Sequence, residues 1–321
     1  MMDWLSHLAD MMVVRGSIDF RCMYAAPWRI DRHRAREAEI PFHVVLSGSA
    51  WLEDADGGQP LILNAGDILL VNDGEAHVLH DGSGTPPLPA TNRPTPGVTI
   101  SVNGAEGEQL DMLCGRFIVS ARRNRLLRDY LPQRLVARTG DVKRSQAGAQ
   151  LADLVAMIRE ESALASLGNQ AMLNAFCAAL FILTLRHAAD SSARAAGLLS
   201  IATHARLAPA LAAMFQEPQR SWTVSDLAGL CGMSPATIAR HFKEKLGRSA
   251  SDLLLEIRMT MATNALRNSS ASVGAIGEAV GYRSESAFQR IFKHHIGMTP
   301  AQWRRESLRQ ISESADMGAC R

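Results

Sequence analysis

The sequence predicts an α+β protein of more than one domain, with an antiparallel β-barrel in the N-terminal part and helices in the remainder. Between residues 42 and 80, short apolar runs alternate with turn residues, which is typical of strands joined by tight turns. Between residues 147 and 188, apolar residues recur at helical spacing. In the last third of the chain, a pattern of two helices around a glycine occurs twice.

Composition and charge are those of a folded globular protein. The chain has 321 residues, of which 47% are apolar and 21% charged, and this excludes a disordered polyelectrolyte and a coiled-coil rod. Five cysteines without tight pairing do not resemble a secreted disulfide framework, so a cytoplasmic location is expected. The N-terminal residues lack a basic leader, and the most apolar window is shorter than the roughly 20 residues of a membrane span, so no secretory signal and no membrane partner are expected.

The β segment is predicted to lie between about residues 15 and 120 as a small barrel or sandwich. Residues 81–97 are rich in proline and glycine and are predicted to form an exposed loop. Further strands are expected at residues 98–102 and 109–119.

The middle of the chain is predicted to be a helical connector. Two long helices within 147–188 are separated by Gly168 and Asn169, and a shorter helix is expected at about 205–216. Wide apolar helix faces fit either packing on the barrel or pairing with a second chain, so a homodimer is one expectation. The predicted domains are a barrel domain at 1–122, the connector at 123–219, a double helix-turn-helix domain at 220–309 and a flexible tail at 310–321.

Residues 227–247 and 276–297 resemble each other, and each segment is predicted to form a helix, a glycine turn and a second helix. Gly232 and Gly281 fall where the chain leaves a helix, a position that often requires a positive φ. Six Ser and Thr residues stand where N-caps are expected at the starts of these helices. These are Thr223, Ser234, Ser249, Ser272, Ser284 and Thr299.

Positive charge is concentrated in the repeated segment, where thirteen Lys and Arg face seven Asp and Glu between residues 220 and 309. The second helix of each unit presents small, polar and basic residues on the face opposite its apolar residues, and such side chains read base edges or contact phosphates. The predicted DNA-binding residues are Ala236, Thr237, Arg240, Lys243, Glu285, Ser286, Gln289, Arg290 and Lys293. Double-stranded DNA is therefore the expected partner, and a helical protein-interaction domain with a solvated basic surface is the alternative.

Two stretches of this segment, TIARHFKEKLG and SAFQRIFKHHIGMTPAQWR, resemble the signature of the AraC/XylS family of transcription regulators. The resemblance implies a transcription regulator, either an activator or a repressor, that binds DNA through both units and works with RNA polymerase. It places Arg240 and Arg290 among the contacting residues. Ala236 stands where relatives often carry a larger side chain, so base reading by the first unit is expected to rest on Arg240.

The N-terminal segment resembles a cupin, since NAGDILLVNDGEAH at residues 64–77 is similar to the second motif of that family. His33 stands alone in RHR instead of in a His-x-His pair, so an enzymatic metal centre, and hence an enzyme, is not expected. His43, His77 and His80 lie on predicted strands. They are candidates for a zinc site, and hydrogen-bonded packing is the alternative.

The cysteines divide into inert and reactive candidates. Cys177 and Cys231 are expected to act as small buried hydrophobes, and Cys320 lies near the C-terminus. Cys22 beside Arg21, and Cys114 two residues before Arg116, are candidates for reactive thiols because a nearby cation favours the thiolate. Inert burial is the alternative for both.

The order of GSIDFRC, the His43 strand, EAHVLH and LCGRF ahead of the AraC-type segment resembles the reactive-chlorine-sensing regulators. The resemblance implies that oxidation of a cysteine pair activates transcription, and it carries that role to Cys22 and Cys114, or to one of them with another partner. A small molecule or metal bound in the barrel is the alternative effector. A cupin enzyme with a DNA-binding tail is a third hypothesis.

Overall fold

The computed structural model describes residues 3–12, 14–36, 39–54, 59–95, 97–119, 125–139, 146–164, 166–190 and 196–319. The strands are β1 (Val14–Ala25), β2 (Arg29–Arg32), β3 (Glu39–Ser47), β4 (Ser49–Leu52), β5 (Leu61–Asn64), β6 (Ile68–Val71), β7 (His77–His80), β8 (Ala90–Pro94), β9 (Thr99–Asn103), β10 (Gln109–Val119) and β11 (Arg134–Ala137). The helices are α1 (Trp4–Met12), α2 (Arg125–Tyr130), α3 (Gln146–Ala163), α4 (Asn169–Asp190), α5 (Leu198–Ala202), α6 (Ala208–Gln216), α7 (Val224–Cys231), α8 (Pro235–Leu246), α9 (Ala250–Asn268), α10 (Val273–Ala279), α11 (Glu285–Ile296) and α12 (Pro300–Ala319).

The strands form two sheets that share one core. The larger sheet has the order β11-β6-β3-β10-β1-β9-β8, and the smaller one has the order β2-β7-β4-β5. The pairs are antiparallel except that β1 and β9 run parallel. Side chains from both sheets fill the space between them, including Val45 and Met112 from the larger sheet and Leu52 and Leu79 from the smaller one. The predicted barrel is therefore confirmed, with one parallel pair in it.

Three elements differ from the sequence prediction. Strand β8 lies inside the segment predicted to be a loop, where it pairs with β9 at the edge of the sheet with every residue exposed. Strand β11 lies inside the predicted helical connector and pairs with β6. Residues 310–319, predicted as a flexible tail, continue helix α12, whereas residues 320 and 321 lie outside the described residues.

The two predicted long helices, α3 and α4, are confirmed, and α4 packs on β1. The approach is close at Gly16, where a Cβ atom would collide with the Cβ of Cys177. Phe181 of α4 meets Phe117 of β10 edge to face, with ring centroids 5.1 Å apart. Among the described residues, α4 is the one helix that is long and apolar enough to cross a membrane. Its buried side includes Leu173, Cys177 and Phe181.

The chain divides into two compact units. One contains all eleven of the strands given above together with α3 and α4, and the other contains α1 and the helices from α6 to α12. The division falls within α2 and α5. Sequence composition did not indicate this grouping, because α1 is separated from its partners by about two hundred residues. In the helical unit, Trp4 of α1 contacts Phe215 of α6 with ring centroids 6.4 Å apart.

The helical unit confirms the predicted caps. Thr223 and Ser249 each form a reciprocal capping box with the acidic residue three positions later. Gly232 and Gly281 have φ angles of 57° and 92°, as expected for helix exits. Ser234, Ser272 and Ser284 also accept hydrogen bonds from the first turns of their helices. Each helix of the repeat thus begins at a residue whose side chain satisfies a free backbone N–H.

Candidate functional site

Two sites carry the chemistry expected from the sequence, and the first is the pair of helix-turn-helix units. The first unit consists of α7, the turn at Gly232 and α8, and the second consists of α10, the turn at Gly281 and α11. Helix α9, which joins them, has 19 residues and is about 28 Å long at the α-helical rise. Two reading helices joined in this way suit successive major grooves, which lie about 34 Å apart.

The second helix of each unit is buried on one side only. Ile238 and Phe242 anchor α8, and Phe288 and Phe292 anchor α11, each with at most 1% of its surface exposed. On the opposite side, the predicted DNA-binding residues are exposed, except for the half-buried Thr237. They are Ala236, Thr237, Arg240 and Lys243 of α8, and Glu285, Ser286, Gln289, Arg290 and Lys293 of α11.

Several of these side chains have partners within their own helix. The guanidinium of Arg240, which is 65% exposed, lies 3.7 Å from the carboxylate of Glu244. The amide of Gln289 donates to Glu285 over 2.8 Å. Lys243 donates to the carbonyl oxygen of Gly247 over 2.8 Å. These exposed contacts are weak, so the side chains can exchange them for bases and phosphates.

The second site is a pair of thiols inside the barrel. Cys22 lies on β1 and Cys114 on β10, strands that are neighbours in the larger sheet. Both side chains face the core, and each residue is 2% exposed. Their sulfur atoms are 3.8 Å apart. A disulfide bond is about 2.05 Å long, so the two sulfur atoms must approach each other to form one. The ladder pairs Cys22 with Met112 and Cys114 with Phe20, so the two cysteines are diagonal neighbours on the sheet.

Two buried histidines extend from this pair. Nδ1 of His43 on β3 lies 3.2 Å from the sulfur of Cys114. Nε2 of His43 lies 2.7 Å from Nε2 of His77 on β7. Nδ1 of His77 lies 2.8 Å from the carbonyl oxygen of Glu75. The four side chains therefore form one continuous hydrogen-bonded row across both sheets.

The predicted set of three histidines is not assembled. His80 is three residues beyond His77 on the same strand, so it points to the opposite face. Its Nδ1 accepts from the backbone N–H of Gly82, and its ring lies 6.3 Å from that of Trp51. Among the described residues, no three His, Cys, Asp or Glu side chains form a metal-binding group. The predicted zinc site of His43, His77 and His80 is therefore not formed. Instead, His43 and His77 form a hydrogen-bonded row that begins at the thiol pair.

The surroundings shift the pKa values of the two thiols in opposite directions. The hydrogen bond from Cys114 lowers the pKa of Cys22, with further contributions from the Tyr24 hydroxyl and the charge of Arg32. The same pairing with Cys22, together with burial, raises the pKa of Cys114 well above its ordinary value. Cys22 is therefore the thiol that ionises first, and thiolate is the reactive form.

The cation beside the thiols differs from the two expected ones. Arg21 points away from the core and binds Asp111 with two hydrogen bonds of 3.0 and 2.7 Å. Arg116 lies 3.2 Å from Asp19. Arg32, at the end of β2, supplies the positive charge instead. The sequence did not indicate Arg32 because β2 comes near the thiols only through the strand pairing of the smaller sheet. The one sequence feature that marked this residue was its position in RHR, directly before His33.

The other cysteines behave as expected from the sequence where the structure describes them. Cys177 is fully buried, and burial raises its pKa to about 12. Burial also raises the pKa of Cys231. Cys320 lies outside the described residues. Neither Cys177 nor Cys231 has the setting of a reactive thiol.

The buried histidines give the barrel an expected pH dependence. Burial lowers the pKa of His43 well below 6.5 and also lowers the pKa of His77. The unfolded chain therefore binds more protons below pH 6.5, so the free energy of unfolding should fall as the pH falls, by up to about 1.4 kcal/mol per pH unit for each histidine. Denaturant unfolding between pH 7 and 5 measures the slope. His43→Asn should reduce it, and an unchanged slope would contradict the assignment.

Two family models match the two parts of the chain that hold these sites. The family described as Cupin matches residues 3–190, which is more than half of the chain. The family described as a helix-turn-helix domain matches residues 227–306. The first match contains the thiol pair and the histidine row, and the second contains both reading helices.

Two similar regulators match this chain over nearly their whole length, and a third protein matches its C-terminal third. An uncharacterized HTH-type transcriptional regulator of Haemophilus influenzae is 28% identical over 95% of this chain and 99% of its own. The RCS-specific HTH-type transcriptional activator RclR of Escherichia coli is 26% identical over 97% of this chain and all of its own. The DNA-binding domain of AdpA, solved with a target DNA, is 28% identical over 32% of this chain and 91% of its own, with a TM-score of 0.30.

Fold, reading helices and relatives agree on one assignment. The chain belongs to the cupin family in its N-terminal part and is a DNA-binding transcription regulator of the AraC type through its C-terminal helix-turn-helix domain.

Proposed function

We propose that this regulator responds to oxidants, and that two-electron oxidation of Cys22 and Cys114 to a disulfide is the signal. The observation that carries the proposal is the 3.8 Å separation of two buried sulfur atoms whose pKa values are shifted in opposite directions. A low-pKa thiol beside a second thiol is the usual arrangement of a redox sensor. The printed name of the similar RclR, an RCS-specific activator, supports the same effector class.

The packing around the two thiols supports a thiol signal over a small molecule bound beside them. Tyr24, Trp28, Leu63, Leu69 and Met112 all belong to one buried cluster between the sheets. The same cluster includes both thiols. A disulfide that forms inside such a packed cluster must move its neighbours, because interiors at this density do not deform freely.

For the DNA-binding end, we infer that the exposed face of α8 and the exposed face of α11 contact DNA. Arg240 and Arg290 are assigned to base edges, since a guanidinium forms two hydrogen bonds with guanine. Gln289 and Glu285 are assigned to base edges as well, and Lys243 and Lys293 to phosphates. Ala236, Thr237 and Ser286 permit close approach of the helix N-termini.

The remaining parts of the proposal concern assembly and location. We propose a cytoplasmic protein that acts as an activator with RNA polymerase and as a homodimer. The segment 123–219 is the proposed connector between a sensor domain at 1–122 and a DNA-binding domain at 220–309. Several apolar side chains around the α3–α4 turn support pairing, since Leu164 and Leu167 are largely exposed.

Disulfide mapping by mass spectrometry, together with a promoter reporter, tests the sensing proposal. Treatment with one equivalent of hypochlorous acid should join Cys22 to Cys114 and raise reporter output, and Cys22→Ala and Cys114→Ala should each remove both effects. Cys177→Ala is the matched control, because Cys177 is equally buried in the same unit. It should respond as the wild type does. Full induction in Cys22→Ala would refute the proposal.

A further inference from the structure

The row from Cys114 to Glu75 has a direction that is fixed by its last member. A carbonyl oxygen only accepts hydrogen bonds, so Nδ1 of His77 carries a hydrogen and donates to Glu75. His77 is neutral because burial lowers its pKa, so its Nε2 is a bare acceptor. Nε2 of His43 must then donate to it, which leaves Nδ1 of His43 bare and aimed at the sulfur of Cys114.

From this geometry we infer that His43 is the general base that removes the proton of Cys114 during disulfide formation, and that His77 holds His43 in the required tautomer and receives the proton from it. The inference deepens the proposed oxidant response and rests on it. Neither histidine is needed to hold a metal in this role. His77 acts through His43 and is therefore a positioning residue.

The reaction has two steps, with hypochlorous acid as the oxidant. The thiolate of Cys22 attacks chlorine, which forms an S–Cl bond and releases hydroxide. The sulfur of Cys114 then attacks the sulfur of Cys22, the S–S bond forms and chloride leaves with the electron pair of the S–Cl bond. The proton of Cys114 passes to Nδ1 of His43, so two thiols are oxidised by two electrons while chlorine is reduced to chloride.

The assignment of the first and second thiol follows from their contacts. The single S–H hydrogen of Cys114 has two acceptors, the sulfur of Cys22 at 3.8 Å and Nδ1 of His43 at 3.2 Å. It stabilises the thiolate of Cys22 before oxidation. Chlorination removes that negative charge, and the hydrogen of Cys114 then turns to Nδ1 of His43. Burial, which also raises the pKa of Cys114 against the lowering effect of Arg32, persists after chlorination, so this thiol needs a base at neutral pH.

Charged groups around the row favour passage of the proton away from the thiols. The guanidinium of Arg32 faces His43 and opposes a charge there, as does His77 itself. His77 is next to Glu75, whose carbonyl and carboxylate both favour the imidazolium, whereas Arg32 and Arg134 oppose it. The Glu75 carboxylate is 31% exposed and lies 3.7 Å from Arg134. Cys22 and Tyr24 on β1 lie near the thiol end of the row, and Arg134 on β11 lies near the Glu75 end. A positive charge is more favourable on His77, at the Glu75 end, than on His43 beside the thiols.

Rapid-quench kinetics on the full-length protein test the inference. After one equivalent of hypochlorous acid, closure of the Cys22–Cys114 disulfide is followed by alkylation and mass spectrometry between pH 6.5 and 8.5. In the wild type the closure rate should be nearly independent of pH, because His43 is neutral throughout. In His43→Asn, whose amide oxygen keeps an acceptor near the Nδ1 position, closure should be about 100-fold slower at pH 7 and should rise tenfold per pH unit.

Variants at β7 separate the relay from general packing. His77→Gln keeps an acceptor for His43 and should slow closure less than His43→Asn does. His80→Gln, on the exposed face of the same strand, is the matched control and should close at the wild-type rate. In His43→Asn, water should hydrolyse the unclosed S–Cl group of Cys22 to a sulfenic acid, with release of chloride and a proton. Dimedone should trap this sulfenic acid in the variant, whereas the wild type should give little adduct.

The outcomes distinguish the two proposals. If the wild type forms no disulfide between Cys22 and Cys114, both fall. If it forms the disulfide and His43→Asn closes at the same rate with a flat pH profile, the relay is overturned and the oxidant response stands. Should His43→Asn fail to fold, ¹⁵N spectra of histidine in the reduced wild-type protein decide the matter. They should show Nε2–H for His43 and Nδ1–H for His77, and the opposite tautomers would overturn the relay.

Discussion

Simultaneous replacement of Arg240 and Arg290 with alanine should weaken binding of the regulator to its operator by roughly 30-fold to 20,000-fold. Each arginine lies on the exposed face of a reading helix, one in each unit. A lost base contact costs about 1–3 kcal/mol, and the two sites are far enough apart for the losses to add. Titration of a labelled operator at one fixed salt concentration, measured by fluorescence anisotropy, gives the Kd values.

The control for this prediction removes the same charge elsewhere. Arg159 on α3 and Arg186 on α4 are exposed and lie outside the helix-turn-helix domain. Arg159→Ala with Arg186→Ala should change the affinity far less, because general attraction to the polyanion depends on charges near the DNA. Wild-type affinity in the Arg240 and Arg290 double variant would show that other residues read the bases.

The helix-turn-helix units could be predicted because their signals are local. Thr223 with Asp226, Ser234 with Pro235, and Ser249 with Asp252 each mark a helix start within four residues of chain. Gly232 and Gly281 mark the points where the chain leaves a helix, because each adopts a positive φ. Each of these signals depends only on residues that are close in sequence. The helices could therefore be predicted without knowledge of the tertiary fold.

The barrel site was only partly predictable, because strand pairing brings its residues together. Cys22 and Cys114 are 92 residues apart and meet through the β1–β10 ladder, whose register shifts between Ile18 and Phe20. The bulge in that ladder has no clear sequence signal. Arg32 was missed because strand pairing brings β2 to the thiols. His80 was wrongly grouped with His77, although the odd spacing of the two residues already places them on opposite faces of one strand.

Phe292 anchors the second reading helix, and Phe292→Ala should lower the free energy of unfolding of the helical unit by about 3–5 kcal/mol. The ring is fully buried. Its centroid lies 5.5 Å from Phe288 and 6.5 Å from Trp303, and alanine would leave a cavity between them. Urea unfolding, followed by circular dichroism and tryptophan fluorescence, measures the loss.

Leu230→Ala provides the comparison, since this α7 side chain is 46% exposed and its removal should cost no more than about 0.5 kcal/mol. A loss below 1 kcal/mol in Phe292→Ala would mean that the cluster around α11 repacks. The variant also separates folding from recognition. In Phe292→Ala the exposed face of α11 keeps all its side chains, so operator binding should weaken only if α11 is no longer held in place. The Arg240 and Arg290 double variant should lose affinity while its free energy of unfolding stays unchanged.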